Sequence, residues 1–238
     1  MQSINSVVET LETVSAQEGL AWVARQFKRP LFSSALGEED QAITYLITSP
    51  SLPIGIFTLD TGRLFAETYD LLSLTQKKYT TPIQVFFPQA KEVEAYVQEN
   101  GINGFYDSVE NRKRCCHIRK VEPLKRALAG SDLWITGLRA GQSTNRQQMK
   151  KIEWDASMNL FKYNPLLDWS TEQLREFIQT HAIPVNTLHK KGFESIGCAP
   201  CTRAIAPGED MRAGRWWWES SAKECGLHQT KITVTTQH

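Results

Sequence analysis

Three times between residues 31 and 100 a short apolar run is followed by a turn and then by a stretch of helical spacing, and a fourth apolar run follows at 132–138. The runs are LFSSAL at 31–36, closed by Gly37; IGIFTLD at 54–60; PIQVFF at 82–87; and DLWITGL at 132–138. The helical stretches are 41–48, 64–74 and 90–100, with a basic helix before the fourth run. Short apolar strands alternating with helices specify an α/β fold whose mainly parallel sheet is covered by helices on both faces. In such sheets ligands bind at the loops that leave the carboxyl ends of the strands. An amphipathic helical region over 11–27 comes before the first strand, with Leu11, Val14, Leu20, Val23, Ala24 and Phe27 near helical spacing. At 168–180, Ser170 and Gln173 form a capping-box pattern, and the helix they start closes the main domain. From residue 190 onward the chain is rich in Gly, Pro, Cys and Trp without a period, so we divide it into an α/β domain at 1–189 and an irregular C-terminal segment at 190–238.

A chain of 238 residues with 41% apolar and 22% charged residues can bury one sizeable core. No apolar run approaches the roughly 20 residues that span a bilayer, and the first residues lack a basic and apolar leader. A cytoplasmic protein is expected, with no membrane partner. The net charge of +1 gives no global attraction to nucleic acid. Locally, however, Arg112, Lys113, Arg114, Arg119, Lys120, Lys125 and Arg126 are opposed only by Glu122. Charge alone describes either a solvated helix face or an anion site.

The strand ends carry further anion-binding chemistry. The turn LFSSALGEEDQ contains Ser33, Ser34, Gly37 and Asp40, and a hydroxyl-rich turn before a helix presents backbone N–H groups to phosphate or sulfate. It lacks the Gly-Lys-Ser/Thr of a Walker loop. The second strand ends in Leu59-Asp60-Thr61-Gly62, and the fourth in Gly137-Leu138-Arg139 with Arg146 beyond. Arginine suits bidentate contact with phosphate or sulfate oxygens, and loops at successive strand ends share one rim of a parallel sheet.

Five cysteines in a chain without a leader point to metal or redox chemistry rather than a disulfide framework. Cys198-Ala199-Pro200-Cys201 brings two thiols within reach of one metal, and Cys115-Cys116 supplies two more. Four thiolates suit an iron-sulfur cluster or structural zinc, although zinc sites more often use two C-x-x-C pairs. A thioredoxin-like redox pair leaves Cys115 and Cys116 unexplained. Cys225 stands apart between Lys223 and His228, which favour its thiolate.

Seven ordered segments carry a resemblance: SSALGEED at 33–40, LDTGRL at 59–64, CCHIRKVEPL at 115–124, WITGLRAGQSTNR at 134–146, GCAPCTR at 197–203, RAGRWWWE at 212–219 and KECGLH at 223–228. Together they resemble the assimilatory adenylyl-sulfate (APS) reductases, relatives of the phosphoadenylyl-sulfate (PAPS) reductases. The resemblance implies an adenine-nucleotide α-hydrolase-like sheet and a mobile catalytic tail. It also implies a 4Fe-4S cluster on Cys115, Cys116, Cys198 and Cys201. Cys225 becomes the nucleophile. Substrate contacts are implied for Ser33, Ser34, Gly37, Asp40, Leu59, Asp60, Thr61, Gly62, Lys120, Gly137, Arg139, Arg146, Arg212 and Arg215, with His228 as a further candidate. The loop at 137–144 departs from the more polar versions of the family, since Leu138, Ala140 and Gly141 carry no charge.

The implied reaction is thiol-dependent reduction of adenosine 5'-phosphosulfate to sulfite and AMP in sulfate assimilation. It passes through a Cys225 S-sulfocysteine that reduced thioredoxin or glutaredoxin resolves, and the chain leaves room for a homo-oligomer. The cysteine pairs favour adenylyl sulfate over its 3'-phosphorylated form, although some cluster-bearing members accept both. The alternatives are a pyrophosphatase-type relative of the same fold, against which the absence of a Ser-Gly-Gly-x-Asp-Ser loop speaks, and an iron-sulfur redox sensor. Trp216, Trp217 and Trp218 either dock the tail or simply pack the C-terminal segment.

Overall fold

Side chains alternate across a strand, and that alternation sorts the apolar residues of the central strands into two layers. On β2 (Gly55–Leu59), Ile56 joins one apolar cluster and Phe57 another; on β4 (Leu133–Ile135), Leu133 and Ile135 face the first and Trp134 the second. The first cluster gathers Leu20 and Val23 of α2 (Ala16–Gln26), Ile43 and Leu46 of α3 (Glu38–Thr48) and Leu174 of α8 (Thr171–Thr180). The second gathers Leu124, Ala127 and Leu128 of α7 (Glu122–Leu128). Both faces of the sheet are thereby covered. This computed structural model describes residues 4–142, 146 and 148–219. Cys225 and His228 lie outside the described residues.

β1 (Pro30–Ser33) pairs in parallel with β2 on one side and β4 on the other, and β3 (Ile83–Phe86) pairs in parallel with β2. The sheet has six strands in the order β3-β2-β1-β4-β6-β5, where β5 is Ile152–Asp155 and β6 is Leu160–Tyr163. The chain therefore moves outward from β1 through α3 and α4 (Ala66–Tyr79) to β3, and returns by way of α5 (Ala90–Asn100) to the far side of β1 with β4. That reversal opens a crevice beyond the carboxyl ends of β1 and β4, where ligands of open α/β sheets bind.

Two strands were not expected. β5 (Ile152–Asp155) and β6 (Leu160–Tyr163) form an antiparallel hairpin, and β6 lies parallel to β4. Their turn is built by Asp155, whose carboxylate accepts from Ser157 N at 2.9 Å and Met158 N at 3.1 Å. Each strand is only four residues long, and Glu153 pairs across the ladder with the buried Lys162, so charge interrupts the apolar signal.

The opening helical region over 11–27 is two helices, α1 (Ile4–Thr13) and α2, because Ser15 and Glu18 form a capping box that restarts the chain. The capping box at Ser170 and Gln173 starts α8. The basic helix is interrupted: α6 (Val109–Cys116) passes through a π turn (His117–Val121) into α7, which carries Pro123 near its start. The π turn adds a residue to the ladder and re-aims the side chains after it, a device common at functional sites. Beyond α8 the described chain has only short 3₁₀ turns, at Thr187–Lys191 and Ala199–Cys201, and one bridge between Thr202 and Arg215. No helix among the described residues is long and apolar enough to cross a membrane.

Gly19 lies where α2 crosses Tyr163: an added Cβ would sit 2.1 Å from the Tyr163 hydroxyl oxygen, itself buried without a partner. Gly19→Ala is therefore expected to cost about 1–3 kcal/mol despite the better helix propensity of alanine. Tyr163→Phe removes the clashing oxygen and restores most of the loss, as read by urea unfolding of the single and double variants.

Candidate active site

The crevice at the β1/β4 reversal is a cavity of about 260 Å³. Ser33 and Ser34 reach it from the end of β1, Leu59 and Thr61 from the end of β2, and Gly137 and Arg139 from the end of β4. Gly37 and Asp40 line it from the start of α3, Lys120 from the π turn, and Arg146, Arg212 and Arg215 complete the wall. Asp60 and Gly62 do not line it. Asp60 instead shapes the turn, accepting from Gly62 N at 2.7 Å and from the Tyr69 hydroxyl at 2.9 Å, while Gly62 takes a φ of 70°.

The serine-rich loop differs from a plain anion cradle, because its amides have an internal acceptor. Asp40 accepts from Ala35 N at 2.7 Å and Gly37 N at 3.4 Å, and Leu36 N donates to Ser34 Oγ at 3.2 Å. Leu36 takes a φ of 62°, a left-handed conformation that the buried loop imposes on a branched residue. Burial, with the charge of Glu39 beside it, pushes the Asp40 carboxyl up to about 7 against the pull of the two amides. Gly137 is required opposite it, since a Cβ there would lie 2.1 Å from Asp40 Oδ1.

Lining cations are Lys120, Arg139, Arg146, Arg175, Arg212 and Arg215, facing the carboxyl groups of Glu38, Glu39, Asp40 and Glu194. Glu39 is bound to Arg139 at 2.8 Å, while Arg175 takes Glu38 at 3.5 Å and Glu194 at 2.7 Å. Among the described lining residues the cations outnumber the carboxyl groups, which suits an anionic ligand. Arg139 is only 2% exposed and also donates to Trp169 O, so it supports the wall as well as charging it. Arg215 donates to Ser195 and Ile196 at 3.4 Å and packs on Gly197, where a Cβ would lie 2.2 Å from Nη2.

A second, smaller void adjoins the first. It is lined by Cys115, Cys116, Cys198 and Cys201 together with Arg63, Phe105, Arg112, Arg119, Lys120 and Pro200. The end of α6 supplies one cysteine pair, and the 3₁₀ turn at Ala199–Cys201 and its cap supply the other. Backbone bonds hold the second pair in place: Ala199 N donates to Arg63 O at 2.8 Å and Trp216 N to Cys201 O at 3.2 Å. Among the described residues no three His, Cys, Asp or Glu side chains form a group that could hold a metal ion; the four thiols border a void rather than converge on a point.

The thiols differ in their surroundings. Burial raises the Cys201 thiol to about 12, with the neighbouring Cys198 adding to the shift, and burial also raises Cys115 against the charge of Arg119. Burial opposes the Cys198 thiolate too, yet Lys120, a 3.3 Å bond with the Thr61 hydroxyl, Arg215 and Arg119 together bring it below the ordinary thiol value. Cys198 and Lys120 line both voids.

Several lining residues were invisible to sequence reasoning. Trp134 reads as strand core, yet its indole N–H donates to Ser33 Oγ at 2.7 Å and its ring lines the larger cavity. Glu39 was one acidic residue among three at the head of α3. His189 holds Nδ1 2.8 Å from Phe193 O and presents a buried, unpartnered Nε2 in a residue that lines the cavity. The pattern Asn186-Thr-Leu-His189 before the C-x-x-C pair was available as a signal, but without the fold nothing tied it to the strand ends.

Comparison with known proteins gives a consistent set of likenesses. Residues 29–204 match the phosphoadenosine phosphosulfate reductase domain family. The chain is 51% identical over 227 residues to the adenosine 5'-phosphosulfate reductase of Allochromatium vinosum, covering 94% of this chain and 89% of that relative. Among solved structures it is similar to the phosphoadenylyl-sulfate reductase of Candida auris in complex with phosphate, with a TM-score of 0.73 and 26% identity over 86% of this chain and 98% of the other. The FMN adenylyltransferase of Candida glabrata shares the fold alone, with a TM-score of 0.54 and 14% identity over 92% of this chain and 76% of the other.

The high value at Asp40 has a consequence for stability. The folded state holds this proton more tightly than the unfolded chain, whose aspartate titrates near 3.8. Its contribution is fully present below about pH 4 and is lost as pH rises to about 7, with a slope of up to about 1.4 kcal/mol per pH unit. Asp40→Asn is expected to flatten that part of the profile when urea unfolding is followed from pH 4 to pH 8.

Proposed function

The chain belongs to the phosphoadenosine phosphosulfate reductase domain family, and on that footing we propose that it reduces adenosine 5'-phosphosulfate to sulfite and AMP, using electrons from thiols in sulfate assimilation. The relatives named for this reaction supply the chemistry, and the observation that carries it to this chain is the shared wall. Lys120 and Cys198 border both the strand-end cavity and the four-cysteine void, so an anion held in one is felt in the other. The nucleotide lies along the strand ends, its phosphate and sulfate facing Lys120, Arg146, Arg212 and Arg215.

The four cysteines suit a 4Fe-4S cluster. They ring a void, and Arg112, Arg119 and Lys120 offset the negative charge that four thiolates bring into a buried region. When bound, such a cluster fixes the two cysteine segments against each other and sets the field at the shared wall. The chain's own groups carry the reaction. Cys225 thiolate attacks the sulfur of the sulfate; the new S–S bond forms as the S–O bond to AMP breaks, and AMP leaves. Two anions approach each other in that step, and preorganised cations lower its barrier. A thiol of reduced thioredoxin or glutaredoxin then attacks Cys225 Sγ, forming a mixed disulfide as sulfite leaves, and the donor's second thiol displaces the Cys225 thiolate to close the donor's own disulfide. Residues 190–238 act as the segment that holds the second cysteine pair and carries the catalytic tail.

Anaerobic purification is expected to yield about four iron and four sulfide per chain. Sulfite should appear from adenosine 5'-phosphosulfate with reduced thioredoxin, more efficiently than from the 3'-phosphorylated nucleotide. Cys225→Ser should lower the rate by at least about a thousandfold with iron retained, and Lys120→Met should lower kcat/KM about a hundredfold. A fully loaded protein that releases no sulfite from either nucleotide would overturn the assignment.

A further inference from the structure

Burial ordinarily obliges a cation to find a carboxylate, and the two most deeply buried arginines around the voids do so. Arg112 meets Glu219 at 2.8 Å and Arg139 meets Glu39 at 2.8 Å. Arg215 departs from that pattern. It is 7% exposed and lines the larger cavity, yet it has no carboxylate partner among the described residues. Its bonds within the protein are two contacts of Nη1 at 3.4 Å, with Ser195 Oγ and Ile196 O, and its Nε is buried without a partner. Bonds of that length lie at the weak end of the range. Arginine keeps its charge on burial, so something other than a counter-ion holds this one in place.

The holder is a slot. On one side lies Gly197, where an added Cβ would stand 2.2 Å from Nη2 and 2.6 Å from Cζ, so the guanidinium rests directly against backbone. Another wall is the Trp216 ring, with Arg215 Cζ 4.8 Å from its centre. A cation over an indole face is attracted by the ring quadrupole. That attraction neither neutralises the charge nor occupies the N–H groups that an oxyanion would use. Trp216 is 1% exposed and takes a φ of 41°, a left-handed conformation that persists in a bulky residue only where neighbours enforce it. The neighbours here are Cys201, whose carbonyl accepts from Trp216 N at 3.2 Å, and the bridge between Thr202 and Arg215. The indole N–H is buried without a partner, so what the ring presents to Arg215 is its face. Arg112 also lies 4.7 Å from the centre of this ring, but its charge is already matched by Glu219.

We propose that Trp216 and Gly197 are positioning residues for Arg215: together they hold a buried guanidinium in place without neutralising it, so that its charge is kept for an oxyanion of the nucleotide. An unpaired buried cation is costly in the free protein, and the incoming phosphate or sulfate supplies the missing partner. The oxyanion therefore meets a cation that need not first leave a carboxylate, as Arg139 would have to leave Glu39. A charge held ready in this way requires no reorganisation when the ligand arrives. The proposal rests on the reading of Arg215 as a substrate contact.

The test is calorimetric titration of the anaerobic, cluster-loaded protein with adenosine, AMP and ADP. The ratio of AMP to adenosine affinity reads an oxyanion contact at the α-phosphate, and the ratio of ADP to AMP affinity reads one where the sulfate stands. In Arg215→Met one of these ratios should fall about thirtyfold or more. Trp216→Leu should lower the same ratio about tenfold, and Trp216→Phe, which keeps a ring face but no N–H, less than about threefold. In the Arg215→Met background Trp216→Leu should cost less than about twofold further, because the ring acts through Arg215. Gly197→Ala should lower the same ratio and serves, alone and with Arg215→Met, if Trp216→Leu does not fold. Iron should be retained throughout. Equal losses in Trp216→Phe and Trp216→Leu, additive losses in the double variant, or parallel loss of iron overturn the positioning role; the last would make the ring a support of the cysteine void. Unchanged ratios in Arg215→Met overturn the reading of Arg215 and the proposal with it.

Discussion

Arg119 donates to the carbonyl of Thr61 at 2.7 Å, and this buried bond joins the π turn after the first cysteine pair to the loop that leaves β2. Much of the site hangs on that junction. The same loop accepts Ala199 N through Arg63 O and meets Cys198 through the Thr61 hydroxyl, so it holds both cysteine pairs at once. The π turn that aims Arg119 into the junction also carries Lys120 to the wall between the two voids. A regular α-helix from 109 to 128 would distribute these cations around its circumference, whereas the extra residue of the π turn re-aims those that follow it.

Charge compensation explains why so many ionisable groups survive burial here. Thiols and carboxylates around the two voids face arginines and a lysine drawn from five separate parts of the chain. Where cations are close, the charged form is favoured, as for Cys198 beside Lys120; where burial prevails, it is disfavoured, as for Cys201 and Asp40. Asp40 acts as an internal acceptor for the serine-rich loop, holding the backbone amides of Ala35 and Gly37.

The four parallel strands and the helices between them were legible because β2 and β4 bury side chains on both faces, and all four strands are short, largely apolar runs closed by turns. The β5/β6 hairpin was not, because at the sheet edge Glu153 and Lys162 satisfy each other across the ladder and break the pattern. The cysteines were legible as chemistry, since thiols in such spacing have few other uses. Trp134, Glu39 and Arg112 were not, because tryptophan in a strand and charge on a helix have ordinary meanings until a fold gives them neighbours.

The sequence by itself determined the α/β alternation, the residues at the strand ends, the two cysteine pairs and the separate Cys225, because these depend on local pattern and residue chemistry. Only the tertiary structure decided that Cys198 and Lys120 belong to both voids, that Asp40 holds a loop, and that Arg112 meets Glu219 across 107 residues of chain. The physical reason is range. Propensity and periodicity act over one or two turns of chain, whereas a buried charge takes whatever partner packing brings within a few ångströms of it.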